Sequence, residues 1–330
     1  MAESTRKNQL VAVTGATGFV GRSVVRALLA RGFEVRVLVR DRAKAKASLP
    51  VDRLQIVDGD VTDAAAVASL VRGVGTVVHL VGIIREAGKG QTFKRMHVDS
   101  TRVVTEAARA AGVGRYLHMS AMGVGPHGKA EYQRTKFEAE QIVRQSGLDW
   151  TIFRPGLIHG PGGEFTQMAA QWARGELAPY VFMPYFRRWE EDFSVPLGPV
   201  NEIDPVCAPV YVEDVARAFV ASLDVCESIG EVYNLAGAES MTFPDMLRAF
   251  RDATPGAEAS MEPWGIPAAI AAGAAMGAGL VGVGGALPFD AGMAWMGGED
   301  TSADTFKARE HLKIGLAPFR EALKGYAGGL

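Results

Sequence analysis

A glycine-rich turn near the start of the chain constrains its fold more than any other feature. The segment LVAVTGATGFVG at 10–21 begins as a short apolar strand and leads into a stretch, 18–30, whose apolar residues have helical spacing. Glycines spaced GxxGxxG between strand and helix permit a tight turn, close approach of a pyrophosphate and close helix–sheet packing. The free N–H groups at the start of the helix favour phosphate. The segment predicts a dinucleotide site; the alternative is a tight βα turn without a ligand. The predicted cofactor contacts in this turn are Gly15, Thr17, Gly18, Phe19, Val20 and Gly21.

Strand-like and helix-like patterns alternate from residue 10 to about 155, which predicts an α/β fold with a doubly wound parallel sheet. A chain of 330 residues also has room for a second, smaller lobe. We expect a Rossmann domain over 1–160, completed by a strand and a helix from about 205–236. A smaller C-terminal α/β substrate lobe is expected over 161–330.

The residues after the second predicted strand, Glu34–Val39, bear on which dinucleotide is selected. NAD-selective sites usually place an acid about 20 residues beyond the glycines, where it holds the ribose 2′-hydroxyl. This chain has Arg40 there, and Asp41 comes one position late. An arginine suits a 2′-phosphate and can stack on adenine, and Arg22 could reach the same phosphate. The pattern favours NADP(H) over NAD(H); the alternative is that Arg40, with Lys44, belongs to the solvated start of a surface helix.

Two later loops are expected to contact the same cofactor. After the third strand come Asp60 and Val61, and Asp60 either accepts from the adenine amino group or caps the helix that starts near Thr62. The fourth strand leads to Val81 and Gly82, where the small glycine would let a cofactor lie against the backbone.

A serine and a tyrosine–lysine pair are the candidate catalytic residues. Ser120 follows the predicted strand Arg115–Met119, and ligands bind at the C-terminal ends of parallel strands. Tyr132 and Lys136 lie four residues apart in a predicted helix, 131–145, and so share one face. The ordinary pKa of tyrosine is about 10, and a neighbouring ammonium is expected to lower it. Lys136 would also bind the nicotinamide ribose, and Ser120 would hold a substrate oxygen beside Tyr132. The alternative is a packed tyrosine and a solvated lysine in a protein that binds nucleotide without turnover.

These motifs resemble those of the extended and atypical short-chain dehydrogenase/reductases, the superfamily of NAD-dependent epimerases and dehydratases. The similarity covers most of the chain and includes TGATGFVG, GDVTD, HMSAMGVG, YQRTK, FRPGLIHGPG and PVYVEDVARA. Within the superfamily, VHLVGIIRE at 78–86 and a later PFD are similar to bacterial relatives of the NADPH-binding accessory subunit of respiratory complex I.

The resemblance implies roles for single residues. It places Pro155 beside the nicotinamide. Extended members usually carry an Asn where this chain has His97, within the predicted helix 93–111, and that Asn supports a water-mediated proton path to the lysine. His97 either stands in for it or is structural. The remaining implied roles concern the pyrophosphate (Gly15, Gly18, Gly21), the adenosine ribose (Arg40), the adenine (Asp60) and catalysis (Ser120, Tyr132, Lys136).

The composition excludes several classes of protein. A net charge of −2 gives no electrostatic footprint for nucleic acid. Cys207 and Cys226 match no metal-ligand spacing, so no metal is predicted and a reducing setting is the simplest interpretation. The N-terminal MAESTRKNQL lacks the apolar stretch of a signal peptide. We expect a cytoplasmic location; the resemblance adds peripheral contact with the inner face of a membrane as an alternative.

Two segments depart from the βα pattern. The aromatic-rich segment 164–200 predicts an apolar pocket for a quinone- or lipid-like substrate, or else a packed lid or subunit interface. The segment 268–287 carries no charge over about the length of a bilayer span. Alanine and glycine contribute little to membrane insertion, so a packed helix and a helix docking on a membrane or protein complex stand beside a span. A homodimer is the default expectation from the resemblance.

The sequence leaves two functions open. The first is an NADP(H)-dependent oxidoreductase acting on a carbonyl or alcohol, with a nucleotide-sugar-type epimerase or dehydratase as a variant. The second is a non-catalytic NADP(H)-binding structural or assembly subunit of a membrane-associated respiratory complex. They differ at 164–200 and 268–287, because an enzyme needs an enclosed substrate pocket above the nicotinamide.

Overall fold

The computed structural model describes residues 10–88, 90–191, 200–280, 287 and 289–330. Its strands are β1 (Leu10–Thr14), β2 (Glu34–Val39), β3 (Leu54–Asp58), β4 (Thr76–His79), β5 (Arg115–Met119), β6 (Asp149–Pro155), β7 (Ile158–His159), β8 (Met183–Glu191), β9 (Val200–Ile203), β10 (Val206–Cys207), β11 (Val210–Tyr211), β12 (Glu231–Leu235), β13 (Met241–Thr242) and β14 (Pro263–Pro267). Its α-helices are α1 (Phe19–Ala30), α2 (Arg42–Ser48), α3 (Ala64–Val71), α4 (Ser100–Ala110), α5 (Glu131–Arg144), α6 (Glu164–Ala173), α7 (Val212–Ala221), α8 (Phe243–Ala253), α9 (Ala268–Leu280), α10 (Ala291–Gly297), α11 (Phe306–Leu312) and α12 (Phe319–Tyr326). A π-helical turn, Lys94–Asp99, leads directly into α4.

Seven parallel strands form the large sheet, in the order β3-β2-β1-β4-β5-β6-β12. The prediction of a doubly wound α/β Rossmann fold is confirmed. The order reverses between β1 and β4, so the crossover helices leave the sheet in opposite directions there. A crevice opens at the carboxyl ends of these two strands, which is the usual ligand position in such sheets.

Helices cover both faces of the large sheet, which explains why its central strands are apolar throughout. Along β1, Val11 and Val13 pack into the core on one face, and Ala12 packs into the core on the other. The first core includes residues of α1 and α7, and the second includes residues of α3 and α4. The sheet is thereby held rigidly beneath the crevice.

A smaller lobe is built around the three-stranded sheet β14-β8-β9. Its core joins Trp172 of α6, Met183 of β8, Phe250 of α8 and Phe319 of α12. Not all of the C-terminal chain belongs to it, because Ala308 and Leu312 of α11 are buried in the core of the large sheet. We therefore propose that 306–314 be counted with the Rossmann domain; the boundary at 160/161 stays a prediction.

The two unusual segments contain regular structure where they are described. Within 164–200, the chain forms α6 and β8, and 192–199 lies outside the described residues. Within 268–287, α9 packs Ala271 and Ala272 against Ala294 of α10, and 281–286 lies outside the described residues. Across the described ranges, the structure contains no helix of the length and apolarity needed to cross a bilayer.

Candidate cofactor and active site

The glycine turn between β1 and α1 has the geometry of a phosphate cradle. Gly15 has a φ of +74°, in the left-handed region, and a Cβ there would lie 3.1 Å from the carbonyl carbon of Leu80. A Cβ on Gly21 would lie 2.1 Å from the oxygen of Gly15, so α1 can approach the turn only with a glycine at this position. Gly18 is the N-cap of α1 and brings no capping side chain. The first N–H groups of α1 are therefore left for an anion.

A cavity of about 190 Å³, cavity A, opens over this turn. The side chain of Val20 is buried in the core instead, so only its backbone N–H can serve a ligand. The wall of cavity A contains seven of the predicted cofactor contacts together with eight further residues: Gly15, Thr17, Gly18, Arg40, Val61, Val81 and Gly82, with Thr14, Leu38, Lys44, Gly59, Leu80, Ile83, Gln91 and Met96.

Some of the charged residues beside cavity A already bind other protein groups, and the rest are available to a ligand. Asp41 is occupied as the N-cap of α2, where its carboxylate accepts from the backbone N–H of Lys44 at 3.0 Å. Asp60 accepts from the N–H of Thr62 at 2.9 Å and lies 3.9 Å from the guanidinium of Arg40. The alternative that Asp60 caps the following helix is wrong, because Asp63 caps α3. Arg40 and Lys44 thus remain as the bases at the cavity wall.

Ser120, Tyr132 and Lys136 meet in a second cavity of about 580 Å³, cavity B. Gly82 and Pro155, both predicted cofactor contacts, lie in the same wall, together with Phe19. Gly82 also lines cavity A, so the two cavities adjoin along the end of β4. The rest of the wall is mostly apolar: Ile83, Ile84, Ala87, Met119, Ala121, Leu157, Ile158 and Phe165, with Arg85, Glu86, Gly156 and Glu164.

Lys136 is buried, with 2% of its surface exposed, and its ammonium donates to the carbonyl of Met119 at 2.9 Å. Burial disfavours the charged form and lowers the pKa of Lys136 to about 8, against the opposing attraction of Glu140. A Cβ on Gly82 would lie 2.8 Å from the ammonium nitrogen. The glycine therefore makes room for Lys136 as well as for a ligand.

The pKa of Tyr132 shifts in the direction opposite to the predicted one. Burial raises its pKa to about 12, so the predicted lowering by a neighbouring ammonium is wrong for the protein without ligand. The ring lies edge-on to Phe93 and His97, at centroid distances of 6.0 and 5.3 Å, and these neighbours offer a phenolate no charge. Lys136 is already directed at the carbonyl of Met119. Tyr132 is therefore a neutral phenol at pH 7, poised to donate a proton.

Ser120 ends a row of buried polar groups on one face of β5. Its hydroxyl, both ring nitrogens of His118 and the hydroxyl of Tyr116 have no hydrogen-bond partner among the described residues. A buried polar group without a partner costs about 1–3 kcal/mol. For Ser120, which lines cavity B, a ligand oxygen would supply the missing bond.

His97 lies in the π-helical turn and is held by protein groups on both sides of its ring. Its Nδ1 lies 2.9 Å from the hydroxyl of Thr135, and its Nε2 lies 3.1 Å from the carbonyl oxygen of Ile83. Burial, followed by the charge of Lys136, lowers the pKa of His97 to about 2. This geometry favours the structural alternative, in which a neutral His97 ties the loop at Ile83 to α5.

A third cavity of about 610 Å³, cavity C, shares Arg85, Glu86 and Tyr132 with cavity B. Its apolar wall comes from Phe93 and from the segment around α10, with Leu287, Phe289 and Met296. None of the residues of this apolar wall was among the predicted site residues. Arg85 and Glu86 of VHLVGIIRE and Phe289 and Asp290 of PFD line this one cavity, and only the folded chain brings the two segments to it.

Comparisons with known proteins agree with this geometry. Residues 15–172 match a family of NAD(P)H-binding proteins. A ceramide reductase of Caulobacter vibrioides is 36% identical over 218 residues, which cover 66% of this chain and 62% of that protein. The mitochondrial NADH dehydrogenase (ubiquinone) 1 alpha subcomplex subunit 9 of Mus musculus is 27% identical over 229 residues, covering 68% and 56%. The chain thus spans less than two thirds of either relative.

The fold is also that of a solved UDP-glucose 4-epimerase from Thermotoga maritima, with a TM-score of 0.69, 20% identity and 96% of each chain covered. Residues 15–172 thus match an NAD(P)H-binding domain, the similar proteins include a ceramide reductase and, as predicted, a subunit of complex I, and the fold is shared with a nucleotide-sugar epimerase.

Proposed function

We propose that the protein is an NADP(H)-dependent oxidoreductase that reduces the carbonyl group of an apolar, lipid-like substrate. The observation that carries the proposal is the meeting of Ser120, Tyr132 and Lys136 in one largely apolar cavity, with the buried hydroxyl of Ser120 still lacking a partner. The ceramide reductase among the relatives supports the substrate class. The adjoining cavity over the glycine turn supports the cofactor.

The roles follow from the protonation states. NADPH held over the glycine turn would supply the hydride for the carbonyl carbon. Ser120 donates a hydrogen bond that holds the carbonyl oxygen, and the neutral Tyr132 transfers its phenolic proton to that oxygen, so that the carbonyl becomes an alcohol. Lys136, in the wall of the same cavity, would hold the nicotinamide ribose. Because the pKa of Tyr132 is about 12, the phenol is ready for reduction at pH 7, whereas oxidation would need its minor, ionised form.

The change Tyr132→Phe tests the catalytic role. We expect turnover of long-chain aldehydes and ketones to fall by at least about 100-fold, because the proton donor is lost, while NADPH affinity measured by fluorescence titration changes little. Tyr180→Phe, at an exposed tyrosine, is the matched control. A Tyr132→Phe protein that turns over at the rate of the unaltered protein would contradict the proposal.

The preference for NADP(H) is supported by Arg40 and Lys44 in the wall of cavity A. Arg40→Ser should weaken NADPH binding about tenfold, the size of one lost charge-assisted hydrogen bond, and leave NADH binding unchanged. Arg42→Ser is the matched control, because Arg42 is paired with Asp58 at 2.7 Å and does not line the cavity. Equal losses for both nucleotides, or tighter NADH binding by the unaltered protein, would overturn the preference.

A non-catalytic subunit of a membrane-associated complex is the second candidate. Large apolar side chains are exposed in both unusual segments, namely Val181 (69%) and Met276 (63%), and Trp264 (64%) just before the second segment is exposed as well, as a docking surface for a membrane or another protein would require. The complex I relative supports this reading. Nucleotide that stays bound at one equivalent through purification, together with no turnover by the unaltered protein, would favour it. Retained nucleotide with turnover but no net consumption would instead favour an epimerase or dehydratase.

A further inference from the structure

We infer that the substrate has two apolar arms, with its carbonyl away from both ends, and that one arm lies in cavity B and the other in cavity C. The inference rests on the proposed function, because it places the reacting carbonyl between Ser120 and Tyr132.

The two cavities meet at the proposed proton donor. Tyr132 lies in the wall of both, as do Arg85 and Glu86, whereas Ser120 and Lys136 line cavity B only. A carbonyl oxygen held by Ser120 and Tyr132 therefore lies in cavity B at its border with cavity C. One substituent of the carbonyl carbon can continue along cavity B, and the other can pass Tyr132 into cavity C.

The size of both cavities and the apolar part of their lining suit hydrocarbon; cavity C is also lined by the charged Arg85, Glu86, Glu131 and Asp290. Their volumes, about 580 and 610 Å³, each lie within the range of roughly 300–1,000 Å³ typical of small-molecule sites. Ile84 and Leu157 contribute apolar surface to cavity B, and Phe289 and Met296 contribute it to cavity C. A substrate with a single arm would leave one of the two apolar cavities to water.

Cavity C is bordered by elements that are fixed in place. Asp290 caps α10 by accepting from the N–H of Met293 at 2.8 Å, and Glu86 accepts from the N–H of Phe93 at 2.7 Å. On α5, next to Tyr132, the side-chain amide of Gln133 donates to the carboxylate of Glu299 at 2.8 Å, just beyond α10. The bond from Gln133 to Glu299 ties the helix that carries the proposed proton donor to the segment around α10, part of which lines the cavity.

Two isomeric ketones test the inference. Tetradecan-7-one and tetradecan-2-one have the same atoms, and only the first extends hydrocarbon to both sides of its carbonyl. Calorimetric titration into the protein with NADP⁺, in nonionic detergent, measures binding, and NADPH oxidation measures turnover. Since each buried methylene contributes about fourfold in affinity, we expect tetradecan-7-one to bind at least about tenfold more tightly.

Two methionines of α10 provide a matched pair of variants. Met296 lines cavity C and Met293 does not, and both are half-buried. Met296→Trp should narrow cavity C and remove the preference for tetradecan-7-one, whereas Met293→Trp should retain it. NADPH affinity should be the same in both variants, which shows that each is folded.

The outcomes separate this inference from the proposed function. If both ketones are turned over and bind with equal affinity, the two-armed substrate is ruled out and the proposed reductase activity is retained. A preference for tetradecan-7-one that Met296→Trp abolishes, without turnover, would support the paired cavities and contradict the catalysis. A preference that survives Met296→Trp would show that cavity C does not take the second arm and would overturn the inference.

Discussion

Lys136 shows the conflict between function and stability at the scale of one residue. Its ammonium has a proposed role in the active site, yet it is buried and, among the described residues, makes one hydrogen bond, to Met119. The pKa of Lys136 is about 8 in the folded protein and 10.5 as the ordinary value. Between these values the unfolded chain binds more protons than the folded one, so the free energy of unfolding rises with pH in that window. Below pH 8 the full cost of the buried charge is present.

Removing this charge should therefore stabilise the protein. We expect Lys136→Met to raise the free energy of unfolding at pH 7 by on the order of 2 kcal/mol, the burial cost less one hydrogen bond, and the gain should shrink by pH 10. Urea unfolding without cofactor at both pH values measures it. Lys324→Met, at an exposed lysine, should show no such change with pH. A Lys136→Met protein less stable than the unaltered one at pH 7 would refute the argument.

The same residue-scale physics explains what the sequence could and could not predict here. The four-residue spacing predicts that Tyr132 and Lys136 share a face, and both line cavity B. Spacing does not predict desolvation, so the direction of the pKa shift of Tyr132 was wrong. The role of Asp60 was left open between an adenine contact and the helix cap, and only the folded loop shows that Asp63 caps α3.

At the scale of elements, sequence signals that lie within a few residues of one another predicted the strands accurately. The strands Glu34–Val39 and Arg115–Met119 have the predicted bounds, because an apolar run and its flanking turns define a buried strand locally. The predicted helix 93–111 is interrupted by the π-helical turn Lys94–Asp99. Such turns often mark functional sites, and this one places His97 between Ile83 and Thr135, an arrangement that no helical periodicity encodes.

Contacts between distant elements could not be predicted in this way. Cavity C joins the loop at Arg85 to α10, about 200 residues later in the chain, and neither segment alone indicates a pocket. The charge-free segment 268–287 allowed a span, a docking helix or a packed helix. The described part, α9, buries Ala271 and Ala272 but exposes Ile270, so one side of the helix is packed and another is exposed. A composition of alanine and glycine does not determine which face is covered.

At the scale of the whole molecule, three histidines lie buried around the large sheet and α4. His79 of β4 stacks on His118 of β5 at a centroid distance of 5.5 Å, and His97 lies nearby in the π-helical turn. Burial lowers the pKa of His79 to about 3 and of His97 to about 2, and lowers that of His118 well below its ordinary value of 6.5. All three are neutral at pH 7 and become charged only when they are protonated in acid.

This arrangement predicts how the protein unfolds in acid. Below pH 6.5 the histidines of the unfolded chain bind protons, whereas those buried in the folded protein stay neutral. The free energy of unfolding should therefore fall by up to about 1.4 kcal/mol per pH unit for each buried histidine. His118 is the sharpest probe, because its ring nitrogens have no partner among the described residues and a phenylalanine of similar shape breaks no bond. His118→Phe should stabilise the protein at pH 7 and reduce the loss between pH 6.5 and 4.5. Urea unfolding across this range measures both effects, with His127→Phe, at an exposed histidine, as the control. An equal acid sensitivity in His118→Phe and the unaltered protein would mean that His118 is hydrated or charged in the fold, and the buried polar row beneath Ser120 would then have to contain water.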